Sequence, residues 1–211
     1  MDCKQNRWRG ARLCSWAAGV LIASAGFSAV ETSAVLLGTS LLSATAAPHV
    51  KEYVENARAT KALGDVKVIA ITIFRLASNV GRIGGHQRIA PVLVVSEGTI
   101  PEAMTPEARR WAAPLDDGAV QALSAHLVDN AAGYNVDSAL GRAWKGPYMD
   151  GLSPDPWGAR YAANVGLLAR PTGQAVIVLS AGPNGLIETP FAQVGLRRGG
   201  DDVIGLIGAG R

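Results

Sequence analysis

The sequence predicts an α+β fold, with one long N-terminal helix packed on a small C-terminal antiparallel sheet and a loop-rich globular head. Three observations carry this expectation. Residues 27–47 are 21 positions with a single charge, Glu31. A three- and four-residue apolar period then continues through Val66, Ile69, Ala70, Ile73, Phe74 and Ala77. Near the C-terminus, between Gly- and Pro-rich turns, lie two β-rich runs at 160–168 and 175–180.

The chain begins with a basic stretch. Lys4, Arg7, Arg9 and Arg12 against Asp2 account for the whole net charge of +3, leaving 16 basic and 16 acidic side chains in 27–211. The basic isoelectric point therefore belongs to the leader, and a neutral body gives no reason to expect nucleic-acid binding. Basic residues ahead of an apolar segment stay on the cytoplasmic side of a membrane. Both cysteines, Cys3 and Cys14, lie in 1–26. A chain cleaved after Gly26 would have no thiol, hence no disulfide, thiolate metal site or cysteine nucleophile. Residues 14–25 are apolar and resemble the core of an export signal.

As a helix, residues 27–47 extend ~31 Å at ~1.5 Å per residue, enough to cross a bilayer. They are rich in Ala, Ser and Thr, which lets neighbouring helices approach closely. Beyond Pro48 the pattern turns one-sided: Val50, Tyr53, Val54, Ala57, Lys61 and Gly64 run among Lys51, Glu52, Glu55, Asn56 and Arg58. The reading is one helix from 27 to about 78, bent locally at Pro48. From 79 to 114 the chain is irregular, with a short helix expected around 106–112. Asp116-Asp117 signals a helix to about Asn130, with Val120, Leu123, Leu127 and Val128 inward. Gly146-Pro147-Tyr148 and Asp155-Pro156-Trp157-Gly158 read as turns, and a Gly-rich tail follows Gly182. The expected divisions are a leader (1–26), a membrane or filament-core helix half (27–48), an amphipathic half (49–78) and a head (79–211).

An ionisable group inside a membrane-length segment is costly and suggests a function. Gly26-Phe27 with Glu31, the apolar run and Pro48 resemble the processing and assembly signature of type IV pilins and type II secretion pseudopilins. Trp144-Lys145-Gly146-Pro147-Tyr148, Asp155-Pro156-Trp157-Gly158 with Tyr161, Ser180-Ala181-Gly182-Pro183-Asn184-Gly185 and Asp201-Asp202-Val203 resemble the major, G-type pseudopilin. The resemblance covers 26–78 and 144–203.

The resemblance implies a pilin-like fold and cleavage between Gly26 and Phe27 by a prepilin peptidase, with methylation of the new amine. It implies insertion in the bacterial inner membrane with the head in the periplasm. Polymerisation follows, with minor pseudopilins and an inner-membrane assembly platform, into a filament that drives export of folded proteins. Glu31 of one copy would neutralise the Phe27 amine of the next. Such a subunit needs no catalytic residues of its own. The resemblance further implies a calcium loop, with the Ala181 carbonyl, Asn184, Asp201 and Asp202 as ligands, although Asn184 stands where the family usually has aspartate. The alternatives are a type IV pilin subunit, serving adhesion, motility or DNA uptake, and a Sec-secreted periplasmic protein cleaved near Ala44-Thr45-Ala46.

Trp144, Tyr148, Trp157 and Tyr161 are read as packing residues that fasten the turns onto the long helix rather than as a ligand platform. His49, His86 and His126 match no metal-ligand spacing. Ser180 lacks a nucleophile-elbow pattern, and Gly81 with Gly84-Gly85 forms no phosphate loop.

Overall fold

One helix, α1, runs from Ala29 to Val80, 52 residues, and its helical backbone continues through Pro48. The computed structural model describes residues 28–84, 91–115, 117–137, 141–169 and 172–209, without the side chains of 42–48. The leader with Cys3 and Cys14, the Gly26–Phe27 pair, His86 and Asp116 lie outside the described residues. The chain divides into two units, Met1–Ala47 and Pro48–Arg211.

Within the second unit, α1 buries one ridge: Ala62, Val66, Ile69, Ala70, Ile73 and Leu76 are at most 3% exposed. Their three- and four-residue spacing keeps them on one helix face. Phe74, expected on this ridge, is 56% exposed, and Val50, Tyr53 and Val54 also face outward. The expected apolar period is therefore matched by burial at Val66, Ile69, Ala70 and Ile73, and not at Val50, Tyr53, Val54 or Phe74.

Five strands form a mixed sheet in the order β3-β1-β4-β5-β7: β1 (Leu93–Val95), β3 (Val120–Ala122), β4 (Ala162–Ala163), β5 (Ala175–Ser180) and β7 (Val203–Ala209). β4, β5 and β7 pair antiparallel, as does β1 with β4, but β3 lies parallel to β1. The expected sheet was purely antiparallel. A parallel pair needs a long crossover, and residues 96–119 supply it, including a 3-10 helix at Arg109–Ala112. A separate parallel pair joins β2 (Glu102–Ala103) to β6 (Leu186–Ile187).

Alternation sends successive strand residues to opposite faces. Val94, Ala163, Val176, Val178 and Ile207 join the α1 ridge in one cluster. Leu93, Val95, Ala162, Ile177 and Leu179 join Trp111, Ile187 and Phe191 in another. Both faces of β5 are thus covered, which explains why Ala-Val-Ile-Val-Leu-Ser reads as a continuous buried run.

Three expectations need correction. The helix expected from Asp116-Asp117 to about Asn130 is instead β3 followed by one helical turn, α2 (Ser124–Leu127). Val120, Leu123 and Leu127 are buried as expected, but ladder pairing of Val120 with Leu93 decides the local structure. The strand expected at 160–168 stops after Ala163. There Asn164 N still donates to the Ile177 carbonyl, but its side chain replaces its own carbonyl: Oδ1 accepts from Ile177 N at 2.7 Å, and Nδ2 donates to the carbonyls of Ala175 and Phe191. A 3-10 turn, Val165–Leu167, follows.

The third correction is the Gly-rich tail, which contains the seven-residue strand β7. Gly205 breaks the apolar pattern because the strand passes tightly over α1. A Cβ at 205 would stand 2.8 Å from the Val66 carbonyl oxygen. Gly205→Val should lower stability by roughly 1–3 kcal/mol through overpacking. Gly208→Val, with open space at its Cβ, should cost much less, and equal losses in urea unfolding would contradict this account.

Candidate functional site

Two places answer to the sequence-predicted site residues: the start of α1 and the loop joining β5 to β7. At the helix start, Ser28 N donates to Glu31 Oε2 at 2.9 Å, and Glu31 N donates to Ser28 Oγ at 3.2 Å. This reciprocal pair is a capping box, which satisfies two backbone donors at a helix N-terminus. Ser28 and Glu31 stand at the Ser-x-x-Glu spacing of that motif. Every described side chain from Ser28 to Leu41 is exposed, including Val30, Val35, Leu36, Leu37 and Leu41 at 57–76%.

The aromatic residues do what was expected of them in the second unit. Trp157 Nε1 donates to Glu55 Oε2 at 3.0 Å, Tyr161 Oη donates to Asp65 Oδ2 at 2.8 Å, and Asn79 Nδ2 donates to Tyr148 Oη at 2.9 Å. These bonds tie the Asp-Pro and Gly-Pro turns to successive levels of α1. Burial, then the bond to Asp65, pushes the Tyr161 phenol above its ordinary pKa. Trp144 meets Tyr148 edge-on at 5.7 Å and donates to the His126 carbonyl.

The β5–β7 loop begins and ends at one point, because Ser180 pairs with Val203. A Cβ on Gly182 would sit 2.5 Å from the Asp201 carbonyl oxygen, so Ala181 and Gly182 lie against Asp201 and Asp202. Asp202 is fully buried, and its Oδ2 accepts from the amides of Glu188 (3.0 Å) and Thr189 (2.7 Å). Its Oδ1 is buried without a donor, as are Asp201 Oδ1 and Glu188 Oε2. Burial raises the pKa of Asp202, the Thr189 and Glu188 hydrogen bonds oppose that shift, and the nearby Glu188 charge adds to it. Asn184 is exposed, and its Oδ1 accepts from Leu186 N within its own turn. Of the four predicted ligands, Ala181 adjoins Gly182, which lies against Asp201 beside Asp202, and the exposed Asn184 stands two residues beyond Gly182 in the same turn.

Among the described residues, Arg197 and Arg198 ion-pair with none of these acids. Nor does any group of three His, Cys, Asp or Glu side chains stand ready-made as a metal site. What the loop offers is a set of buried carboxylate oxygens with no donor, together with closely approaching carbonyls. That donor chemistry suits a hard cation.

Ser180 donates to Asp155 Oδ2 at 2.6 Å, while Asp155 Oδ1 accepts from Trp157 N and Ala159 N. Arg160 is buried and donates to the carbonyls of Trp111 and Ala113, closing the end of the 3-10 helix; burial lowers its pKa. Asn164 and Arg160 are buried polar centres that the sequence did not mark, since their partners lie far along the chain; Asp155 stood within a motif read as a turn, but its bond to Ser180 is long-range. Comparison with family models, curated proteins and solved structures finds no match. Among the described residues no helix is long and apolar enough to cross a membrane; the 42–48 side chains, inside the expected span, are not among those residues.

Proposed function

We propose that this chain is a structural subunit of a pilin-like filament, nearest in kind to the major pseudopilin of a type II secretion system. The observation that supports the reading is the exposed apolar half of α1: Val30, Val35, Leu36, Leu37 and Leu41 are left uncovered by the described residues. A helix apolar around its circumference needs lipid or other helices about it. The resemblance of Gly26-Phe27, Glu31 and the C-terminal motifs to that family says which.

In this reading a prepilin peptidase cuts between Gly26 and Phe27. The apolar helix half rests in the inner membrane, and an assembly platform transfers it into a periplasmic filament of identical copies capped by minor pseudopilins. The filament's growth moves folded proteins outward. The Phe27 amine is a cation in a low-dielectric setting, and Glu31 of a neighbouring copy is its counter-ion, which sets the stagger between subunits. In the head, the Ala181 carbonyl, Asn184, Asp201 and Asp202 would hold calcium. The ion would supply positive charge where the loop buries carboxylate oxygens, closing the end of the β5–β7 hairpin.

The capping box makes the charge separable from helix initiation, because glutamine also serves at that position. Glu31→Gln should preserve insertion and yield a mature N-terminus at Phe27 by mass spectrometry, yet abolish filaments. Filaments at normal yield would reject the charge-pairing role. A mature N-terminus near Ala47 would reject the filament reading itself.

A further inference from the structure

We propose that residues 194–198, the far turn of the β5–β7 loop, seat in a groove on a second copy of this chain, so that heads join head to tail. The inference goes beyond the filament reading and does not require it. The groove, of about 560 Å³, lies where the parallel strands β1 and β3 end. Val95 and Ala122 close the two strands in register, and the chain turns away beyond each. That leaves a crevice outside the carboxyl ends, a common place for a ligand on parallel strands. Val95, Leu115, Ala122, Val128 and Leu152 give it an apolar lining, and Glu97 stands in its wall. Asp129 and Asp150, each next in sequence to a lining residue, are exposed like Glu97. Among the described residues no lysine or arginine lines the groove, and these three acids make no ion pair.

The 194–198 turn carries the complementary set. Val194 and Leu196 are 77% and 52% exposed. Arg197 and Arg198 beside them are exposed and, among the described residues, make no ion pair. The root of the turn is held. Gln174 bridges to Val194, the Gln193 carbonyl accepts from Ala175 N, and Gln193 Oε1 accepts from Arg197 N at 3.1 Å. The turn is thus a preformed knob, which lowers the ordering cost of docking. One chain cannot fill its own groove. The knob is fixed at the first end of β5, whereas Val95 is in register with Ala162 and through it with Leu179. From Gln174 to Leu179 the sheet rises roughly 17 Å at ~3.4 Å per residue. β1 and β3 also stand two and three strands away from β5. A knob and a groove at opposite ends of one head make a heterologous contact, which repeats from copy to copy. Leu196 supplies the apolar plug, and the two arginines choose the orientation, since charges across an interface give specificity more than affinity.

The test is disulfide trapping in the full chain, concentrated in detergent, on a background of Cys3→Ser and Cys14→Ser. Leu196→Cys on the knob together with Ser153→Cys on the groove wall should give a ladder of dimers, trimers and longer species on oxidation. Each of the two alone should give nothing beyond a dimer. Glu97→Arg with Asp150→Arg should cut the ladder roughly tenfold, because like charges then face each other. Arg197→Glu with Arg198→Glu should cut it equally, and combining the two pairs of reversals should restore it. Circular dichroism checks that each variant folds, and every head side chain changed is exposed. No ladder from the paired cysteines would overturn the proposal and leave the groove to another occupant. Dimers alone would overturn the repeating arrangement, and a ladder indifferent to charge reversal would overturn the orientation. Because trapping is read in detergent, without filaments, its failure leaves the pilin-like reading standing.

Discussion

Replacing Asp155 by alanine should lower the unfolding free energy by about 3 kcal/mol, because it strands buried donors that pointed at a carboxylate. The two oxygens take three donors: the amides of Trp157 and Ala159, and the Ser180 hydroxyl at 2.6 Å. Those bonds join the Asp-Pro-Trp-Gly turn to the last residue of β5, and the same turn presents Trp157 to Glu55 on α1. Asp155→Asn keeps one acceptor oxygen and should cost less than the alanine variant. Urea unfolding of the two variants decides the matter. A loss below about 0.5 kcal/mol for Asp155→Ala, the range of ordinary surface changes, would show that the turn is held by other means.

The second large effect is expected from acid. His126 is buried, its Nδ1 lies 2.7 Å from Tyr134 Oη, and its Nε2 has no partner. Gly84 N donates to that same Tyr134 oxygen. Burial lowers the histidine pKa from 6.5 to about 4, with the Asp129 charge opposing the shift. A neutral histidine in the folded state means that the unfolded chain takes up the proton first as pH falls. The contribution is fully present above pH 6.5 and is lost as pH drops towards 4, amounting to about 3 kcal/mol in all. Asp202 acts in the opposite sense, since its raised pKa lets the folded state gain the proton first. The comparison of interest is therefore the difference between the unchanged chain and His126→Asn. Melting temperature should fall more steeply for the former between pH 6.5 and 4, and parallel curves would refute the assignment.

What the sequence disclosed follows from how local each determinant is. α1 was legible because its apolar period repeats over many turns, and β5 because a run buried on both faces has no polar interruptions. β7 was not, since Gly205 is required by contact with Val66, far away in sequence, and looks locally like a loop residue. Val120, Leu123 and Leu127 fit a helix spacing as well as they fit β3 plus α2; only pairing with β1 separates the two. The same holds for the site. The Asp201-Asp202 pair and the Ala181-to-Asn184 turn could be picked out from their resemblance, and register brings Ala181 to the acids. Glu188 could not, because its place depends on Gly199 and Gly200 folding back over it. At the other end, Glu31 was legible as a charge but not as half of a capping box.

The long ridge of α1 also carries a consequence for the timing of synthesis. Val66, Ile69 and Ile73 leave the ribosome early, whereas the residues that cover them arrive from Val94 through Val176 and Val178 to Ile207. The last of these comes roughly 140 residues after Val66, a separation that makes folding slow and keeps apolar surface uncovered in the meantime. For most of translation, then, this helix is a sticky rod waiting for its cover. A nascent chain cut short before Val203 would lack the last part of that cover, Ile207 on β7.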